Sequence, residues 1–200
     1  LRAEILPGFE FKSTSDTETI LYAYIQIGHS LFAKLNGIFA LSIFDNLTKE
    51  IVIARDQFGI KPLYFYQKED NFYFASELKS LLGLNIDKSI DHNALSHYLY
   101  FLYSPCEQTP FLHVKKMKPG HFLSFNIANP AAFTYLQYYD IPFDGKYVEK
   151  QEEELVEDLD THLTKAVERQ LLSDVPVGFF LSGGLDSSAM VALARKLHPD

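Results

Sequence analysis

The stretch "SGGLDSS", residues 182–188, holds the side chains of this chain best suited to chemistry. Gly183 and Gly184 let the backbone turn and approach a ligand with no Cβ in the way. Ser182, Ser187 and Ser188 carry hydroxyls that can donate to phosphate oxygens. Asp186 would repel a bare phosphate, so its charge makes sense as a Mg²⁺ ligand. The apolar run "VGFFL" (177–181) before the loop reads as a buried strand. After it, "SSAMVALARKL" aligns Met190, Leu193, Ala194 and Leu197 at helical spacing. Strand, glycine-rich loop and helix N-terminus together make an anion cradle, where free N–H groups and the positive dipole end converge. No "GK[ST]" follows, so this is not the P-loop of kinases and GTPases.

Other reactive residues carry less. Cys106 is the only cysteine and sits in a turn between Pro105 and Glu107, where it reads as structural. One thiol forms no internal disulfide, which fits a reducing cytoplasm. The seven histidines show no i,i+4 pair and no Cys/His cluster, which argues against zinc. In "RDQFGIKP" (55–62), Arg55 and Asp56 read as an ion pair holding a strand end, with Gly59 and Pro62 shaping a turn. The net charge of -8 argues against a general nucleic-acid or anionic-membrane binder. No apolar run approaches the roughly 20 residues that span a bilayer.

The elements that must position these residues follow from periodicity. Residues 16–34 place Ile20, Tyr24, Ile27 and Leu31 on one helical face, with Ser15 or Asp16 as cap. Four short apolar segments follow: 38–45, 51–56, 63–67 and 72–77. Their spacing predicts an antiparallel meander, and apolar residues on both faces of "IFALSIF" predict a sheet covered on each side. A helix is expected from Asp91, then a looser region with turns. Near residue 145 the chain becomes polar, as a domain edge should be. Beyond it Leu155, Leu159, Leu163, Ala166 and Leu171 form one helical stripe. Helix, strand, tight loop and helix predict the start of an α/β domain with a parallel sheet.

"VPVGFFLSGGLDSS" resembles the pyrophosphate-binding loop of the ATP pyrophosphatases, and in detail that of the glutamine-dependent asparagine synthetase family. "STSDTETIL", "LNGIFALSIFD", "ARDQFGIKPLYF" and "FASELKSLL" resemble, in order, that family's class II glutaminase domain, and "PCEQTPFLHVKKMKPGH" its later segment. The resemblance implies an α+β glutaminase of N-terminal-nucleophile type over residues 1–145, with layered antiparallel sheets and helices. Residues 146–200 would then begin an α/β parallel-sheet domain that binds an adenine nucleotide.

By the same resemblance the first domain hydrolyses glutamine to ammonia. The second uses ATP and Mg²⁺ to adenylate aspartate, and ammonia then displaces AMP to give asparagine. Asp16 matches the position that binds the glutamine α-amino group. Leu181 matches a backbone contact to ATP, and Ser182, Gly183, Gly184, Leu185, Asp186, Ser187 and Ser188 match the pyrophosphate loop, with Asp186 towards Mg²⁺. The family's nucleophile, a cysteine after the initiator methionine, and its oxyanion-hole Asn-Gly are expected upstream of Leu1, so no catalytic residue is assigned within the chain. The expected partners are small molecules (glutamine, aspartate, ATP) rather than nucleic acid or membrane, with room for a homodimer and a cytoplasmic location. Two rival readings stay open: an amidotransferase acting on a sugar acid or peptide carboxyl, and a non-catalytic relative.

Overall fold

Alternation along two central strands sorts the apolar side chains of the first unit, Leu1–Pro142, into separate cores; the computed structural model describes residues 1–198. Strands β1 (Ala40–Asp45), β2 (Glu50–Arg55), β6 (His121–Asn126) and β7 (Thr134–Gln137) form one antiparallel sheet in the order β1-β2-β6-β7. Strands β3 (Tyr64–Lys68), β4 (Asn71–Ala75) and β5 (Val114–Lys116) form a second, in the order β4-β3-β5. Val52 and Ala54 of β2 and Phe122 of β6 pack with Ala23, Leu31 and Phe32 of the helical layer. Their sequence neighbours Ile53 and Leu123 face the other way and pack with Phe65 of the second sheet and with Leu63 just before it. Tyr66, next to Phe65, turns outward onto Val114 and Leu81. Leu81 lies on α3 (Leu78–Leu82), so the layers run helix, sheet, sheet, helix.

The first helical layer begins with α1 (Arg2–Ile5) and α2 (Asp16–Ile27). Ser15 is the N-cap of α2, its side chain accepting from the Thr17 N–H at 3.2 Å. Glu18, which a capping box would fold onto the cap N–H, instead accepts from the N–H groups of Lys12 and Ser13 and from the Ser13 hydroxyl. Those bonds hold its carboxyl below the usual range. The helix expected to reach residue 34 ends at Gly28, whose φ of +58° breaks the α geometry, and continues as a 3-10 helix over Gly28–Lys34.

Three expectations for this unit change. The four early segments do not form one meander: β1 and β2 pair in the first sheet, β3 and β4 in the second, because the chain crosses between layers at residues 56–63. β1 is not covered on each side. It is an edge strand, and Phe44 is half exposed, whereas β2, flanked by β1 and β6, is the buried one. The loose region contains β5, β6 and β7, beyond helix α4 (His92–Phe101) capped by Asp91.

The second unit, Phe143–Asp200, has α5 (Glu152–Gln170) and α6 (Leu185–Leu197). Glu152, Glu153 and Glu154 occupy the first turn of α5, where the helix dipole favours negative charge. Val167 and Ala194 are its buried residues, while Leu155 and Leu159 of the expected stripe remain about half exposed. "VGFFL" is not a buried strand: residues 177–181 are exposed and pair with nothing among the described residues. A parallel strand needs neighbours to receive its hydrogen bonds, and the described part of this unit contains no other strand.

Candidate functional site

Asp16 is the first residue of α2 and lines a cavity of about 500 Å³, a size suited to a small metabolite. Arg2 and Lys34 share the cavity, but both cations are already engaged. The Arg2 guanidinium donates to the Thr19 hydroxyl at 2.7 Å and to the carbonyls of Ser13 and Ser15 at 3.2 and 2.9 Å. It also lies 4.0 Å from the centroid of the Phe11 ring. Lys34 pairs with Glu4 at 2.5 Å, and that bond holds the Glu4 carboxyl below its ordinary range. Asp16 has no cationic partner among the described residues and accepts only from the neighbouring Thr17 hydroxyl at 3.3 Å. The cavity therefore offers one exposed, uncompensated carboxylate beside cations fixed by the protein. That arrangement suits a ligand ammonium.

One wall of the cavity is the irregular segment 35–39, "LNGIF", which bends at Gly37. It is anchored at both ends by the turn after β2. The Asp56 N–H donates to the Phe39 carbonyl at 2.9 Å, and the Gln57 side-chain amide donates to the Leu35 carbonyl. The turn is itself rigid. Asp56, 1% exposed, accepts from the N–H groups of Phe58, Ile60 and Lys61 at 3.1, 2.9 and 2.9 Å. Arg55 donates to the carbonyls of Gly59, Lys61 and Met117. The expected Arg55–Asp56 ion pair is absent among the described residues; each buried charge is satisfied by backbone instead. Burial pushes the Arg55 guanidinium below its ordinary pKa, and the nearby Asp56 charge partly offsets this. Gly59 has φ +63°, as turn geometry requires.

The loop 182–188 stands at the start of α6, with Gly184 as N-cap and Gly183 at φ +81°. The Ser187 and Ser188 hydroxyls donate to the Gly184 carbonyl at 3.1 and 2.8 Å, and Ser182 and Ser187 hydroxyls lie 3.0 Å apart. These bonds tie the serines to the loop, and the first turn of α6 carries N–H groups without intrahelical acceptors, as at any helix start. Leu181, Leu185 and Asp186 are exposed, so the sequence-predicted loop residues gather at one helix terminus. Among the described residues no group of three His, Cys, Asp or Glu could hold a metal ion. Asp186 fits Mg²⁺ only as a single carboxylate completed by phosphate oxygens and water, the usual way that ion is held. Cys106 is exposed, at φ +55°, and does not line the Asp16 cavity.

Known proteins match both parts of the chain in order. The family model described as glutamine amidotransferase domain matches residues 1–139. The chain belongs to that family. The layered α+β fold of its amidotransferase part agrees with that membership. A model described as asparagine synthase matches residues 158–200, a family that implies ATP use. Asparagine synthetase [glutamine-hydrolyzing] 1 of Bacillus subtilis is 40% identical over 200 residues, which is 100% of this chain and 31% of that protein. Asparagine synthetase [glutamine-hydrolyzing] 3 of the same organism is 35% identical over 94% of this chain and 30% of its own length. Amidase chry2 of Gibberella zeae is 31% identical over 98% of this chain and 29% of its own length. The chain thus spans about 30% of the length of the curated relatives it matches. None of the described helices is long and apolar enough to cross a membrane.

Sequence reasoning missed Arg2, Lys34 and the 35–39 wall as parts of the Asp16 cavity. "LNGIF" was read as the entry to a strand and as part of the family resemblance, while its place in the cavity depends on contacts with a turn about twenty residues away.

Proposed function

We propose that this chain contributes to glutamine-dependent asparagine synthesis, with a division near residue 145. Residues 1–145 serve glutamine hydrolysis, whose net result is that water replaces the side-chain amide nitrogen, giving glutamate and ammonia. Residues 146–200 serve ATP-dependent activation, in which an aspartate carboxylate attacks the α-phosphorus and pyrophosphate departs. Ammonia then displaces AMP from the acyl phosphate to leave asparagine. The observation that carries the reading is the uncompensated Asp16 carboxylate in a metabolite-sized cavity, within a chain matched in order by the two family models. Asp16 receives the glutamine α-ammonium.

Leu181 contacts ATP through its backbone, and Ser182, Gly183, Gly184, Leu185, Asp186, Ser187 and Ser188 cradle the departing pyrophosphate at the α6 N-terminus. Asp186 is the side chain that would help hold Mg²⁺, and the ion would supply positive charge to the phosphates. Cys106 takes no part, and the nucleophile is assigned to a residue outside these 200. Glutamine, aspartate and ATP are the small-molecule partners, and the cytoplasm is the compartment.

The test is product analysis with the full-length protein, ATP and glutamine. Asparagine, AMP and pyrophosphate formed together upon aspartate addition support the reading. Glutamine hydrolysis without asparagine refutes the acceptor assignment and favours a different carboxylate, the reading to which the amidase-named relative lends weight.

A further inference from the structure

We propose that Gln57 is a positioning residue for the Asp16 cavity, holding the 35–39 wall at its Leu35 end while the Asp56 N–H holds the Phe39 end. The proposal rests on the reading of this cavity as the glutamine site. The wall is five residues long, and Asn36, Gly37 and Ile38 are exposed. Among the described residues no hydrogen bond holds 36–38 themselves, so their placement depends on the two ends. The Phe39 end continues directly into the sheet, where Ala40 pairs with Arg55. The Leu35 end has no ladder. Its side chain is buried in the first core, but its backbone is fixed by only one bond from the Leu35 N–H to the Phe32 carbonyl at 3.3 Å and by the Gln57 amide on its carbonyl.

Gln57 is suited to this because its own backbone cannot drift. The residue before it accepts three N–H bonds through a buried carboxylate, and Arg55 clasps the carbonyls of Gly59 and Lys61 on the far side of the turn. A half-buried amide on a rigid turn is a fixed donor. It transmits the position of the β2 end to the rim of the cavity, 22 residues earlier in the chain. Losing that bond leaves the fold standing, since the apolar cores involve neither Gln57 nor residues 36–38. What changes is the placement of the 35–39 wall in the cavity that Asp16 also lines, and hence the fit of the substrate.

The experiment measures glutaminase kinetics and thermal unfolding of the full-length protein carrying Gln57→Met, Gln57→Glu or Asp16→Asn. Gln57→Met keeps length and removes the donor; Gln57→Glu keeps shape and sets a carboxylate against the Leu35 carbonyl. Both should raise the KM for glutamine, by about three- to tenfold for the methionine and at least as much for the glutamate, with kcat within about twofold. Asp16→Asn should raise KM as well. An unchanged KM in both Gln57 variants, with KM raised by Asp16→Asn, overturns the positioning role and leaves the cavity reading intact. A fall in unfolding temperature in both, without a KM change, assigns Gln57 to fold support and also overturns it. If Asp16→Asn too leaves KM unchanged, the cavity reading fails and the proposal falls with it.

Discussion

Replacing Asp56 by asparagine should destabilise the first unit far more than an isosteric change at the surface would. The carboxylate is 1% exposed and accepts three backbone N–H bonds, two through Oδ1 and one through Oδ2. Asparagine keeps one oxygen, so the bonds from Phe58 and Ile60 survive without charge assistance. The other position becomes an NH₂ group facing the Lys61 N–H, a donor against a donor, and that buried N–H loses its partner. Rotating the amide does not help, because it trades one orphaned donor for two. Losing a charge-assisted bond and stranding a donor together cost roughly 3 kcal/mol. The neighbouring Arg55 is buried too and loses the negative charge that offsets its desolvation, which adds in the same direction. For a unit of this size the loss corresponds to a fall of roughly 10 °C in the unfolding midpoint. Calorimetric unfolding of the 200-residue chain at fixed pH and scan rate reads this directly. A midpoint within about 2 °C of the parent would show that the turn's hydrogen bonds contribute little, and the rigidity assigned to it would be wrong.

Three further outcomes follow from the same geometry. Gly59→Ala should cost about 3 kcal/mol in denaturant unfolding, from a left-handed φ of +63° and a Cβ only 2.9 Å from the Arg55 Cζ and Pro119 Cγ; a change below about 1 kcal/mol would mean that Arg55 can move aside. Asp186→Asn should depress aspartate-dependent ATP–pyrophosphate exchange on the order of 10²-fold while leaving glutamine hydrolysis largely untouched, and normal exchange would reduce the loop to a glycine turn with serine caps. The Lys68 ammonium at 2.6 Å, followed by Ser89, holds the Asp87 carboxyl well below its ordinary range. Its stabilisation is therefore complete above the unfolded pKa of 3.8 and lost as pH falls below that value towards the folded pKa. Lys68→Met should flatten the acid limb of the stability–pH curve, and an acid limb as steep as the parent's would dismiss this pair as a contributor.

Of the two central strands, β2 was legible from its β-branched run, whereas β6 lay in the region read as loose. Val52 and Ala54 go to one core and Ile53 to the other, so "IVIA" is apolar throughout, and its neighbours reveal it as a strand. The same logic misleads at "VGFFL", which is equally apolar yet exposed. An apolar run records that something is to be covered, not what covers it, and the described part of the second unit holds no strand to pair with it. β7 escaped notice because Thr134–Gln137 offers four residues with a single partly buried face. The assignment of β1–β2 and β3–β4 to different sheets also lay beyond local pattern: both pairs are hairpins, and they part because β2 pairs with β6 and β3 with β5, strands far along the chain.

The site divides along a comparable line. The loop 182–188 stood out because its side chains announce a charge, hydroxyls and a permissive backbone within a few consecutive residues, whereas Asp16 read as a helix cap and became a candidate ligand residue only through the family resemblance. The wall of the Asp16 cavity has no such signature, since it is positioned through the carbonyls of Leu35 and Phe39, and every residue owns a carbonyl. Its donors come from Asp56 and Gln57, in a turn whose charges suggested an ion pair. Sequence pattern exposes which residues carry unusual chemistry, while the placement of ordinary backbone is fixed by partners distant in the chain. A turn that spends two buried charges on backbone groups is justified energetically only if its geometry must not vary. The segment it holds in place borders the one uncompensated carboxylate of the cavity, and under the proposed reading of that cavity a displacement of a fraction of an ångström there changes how glutamine fits.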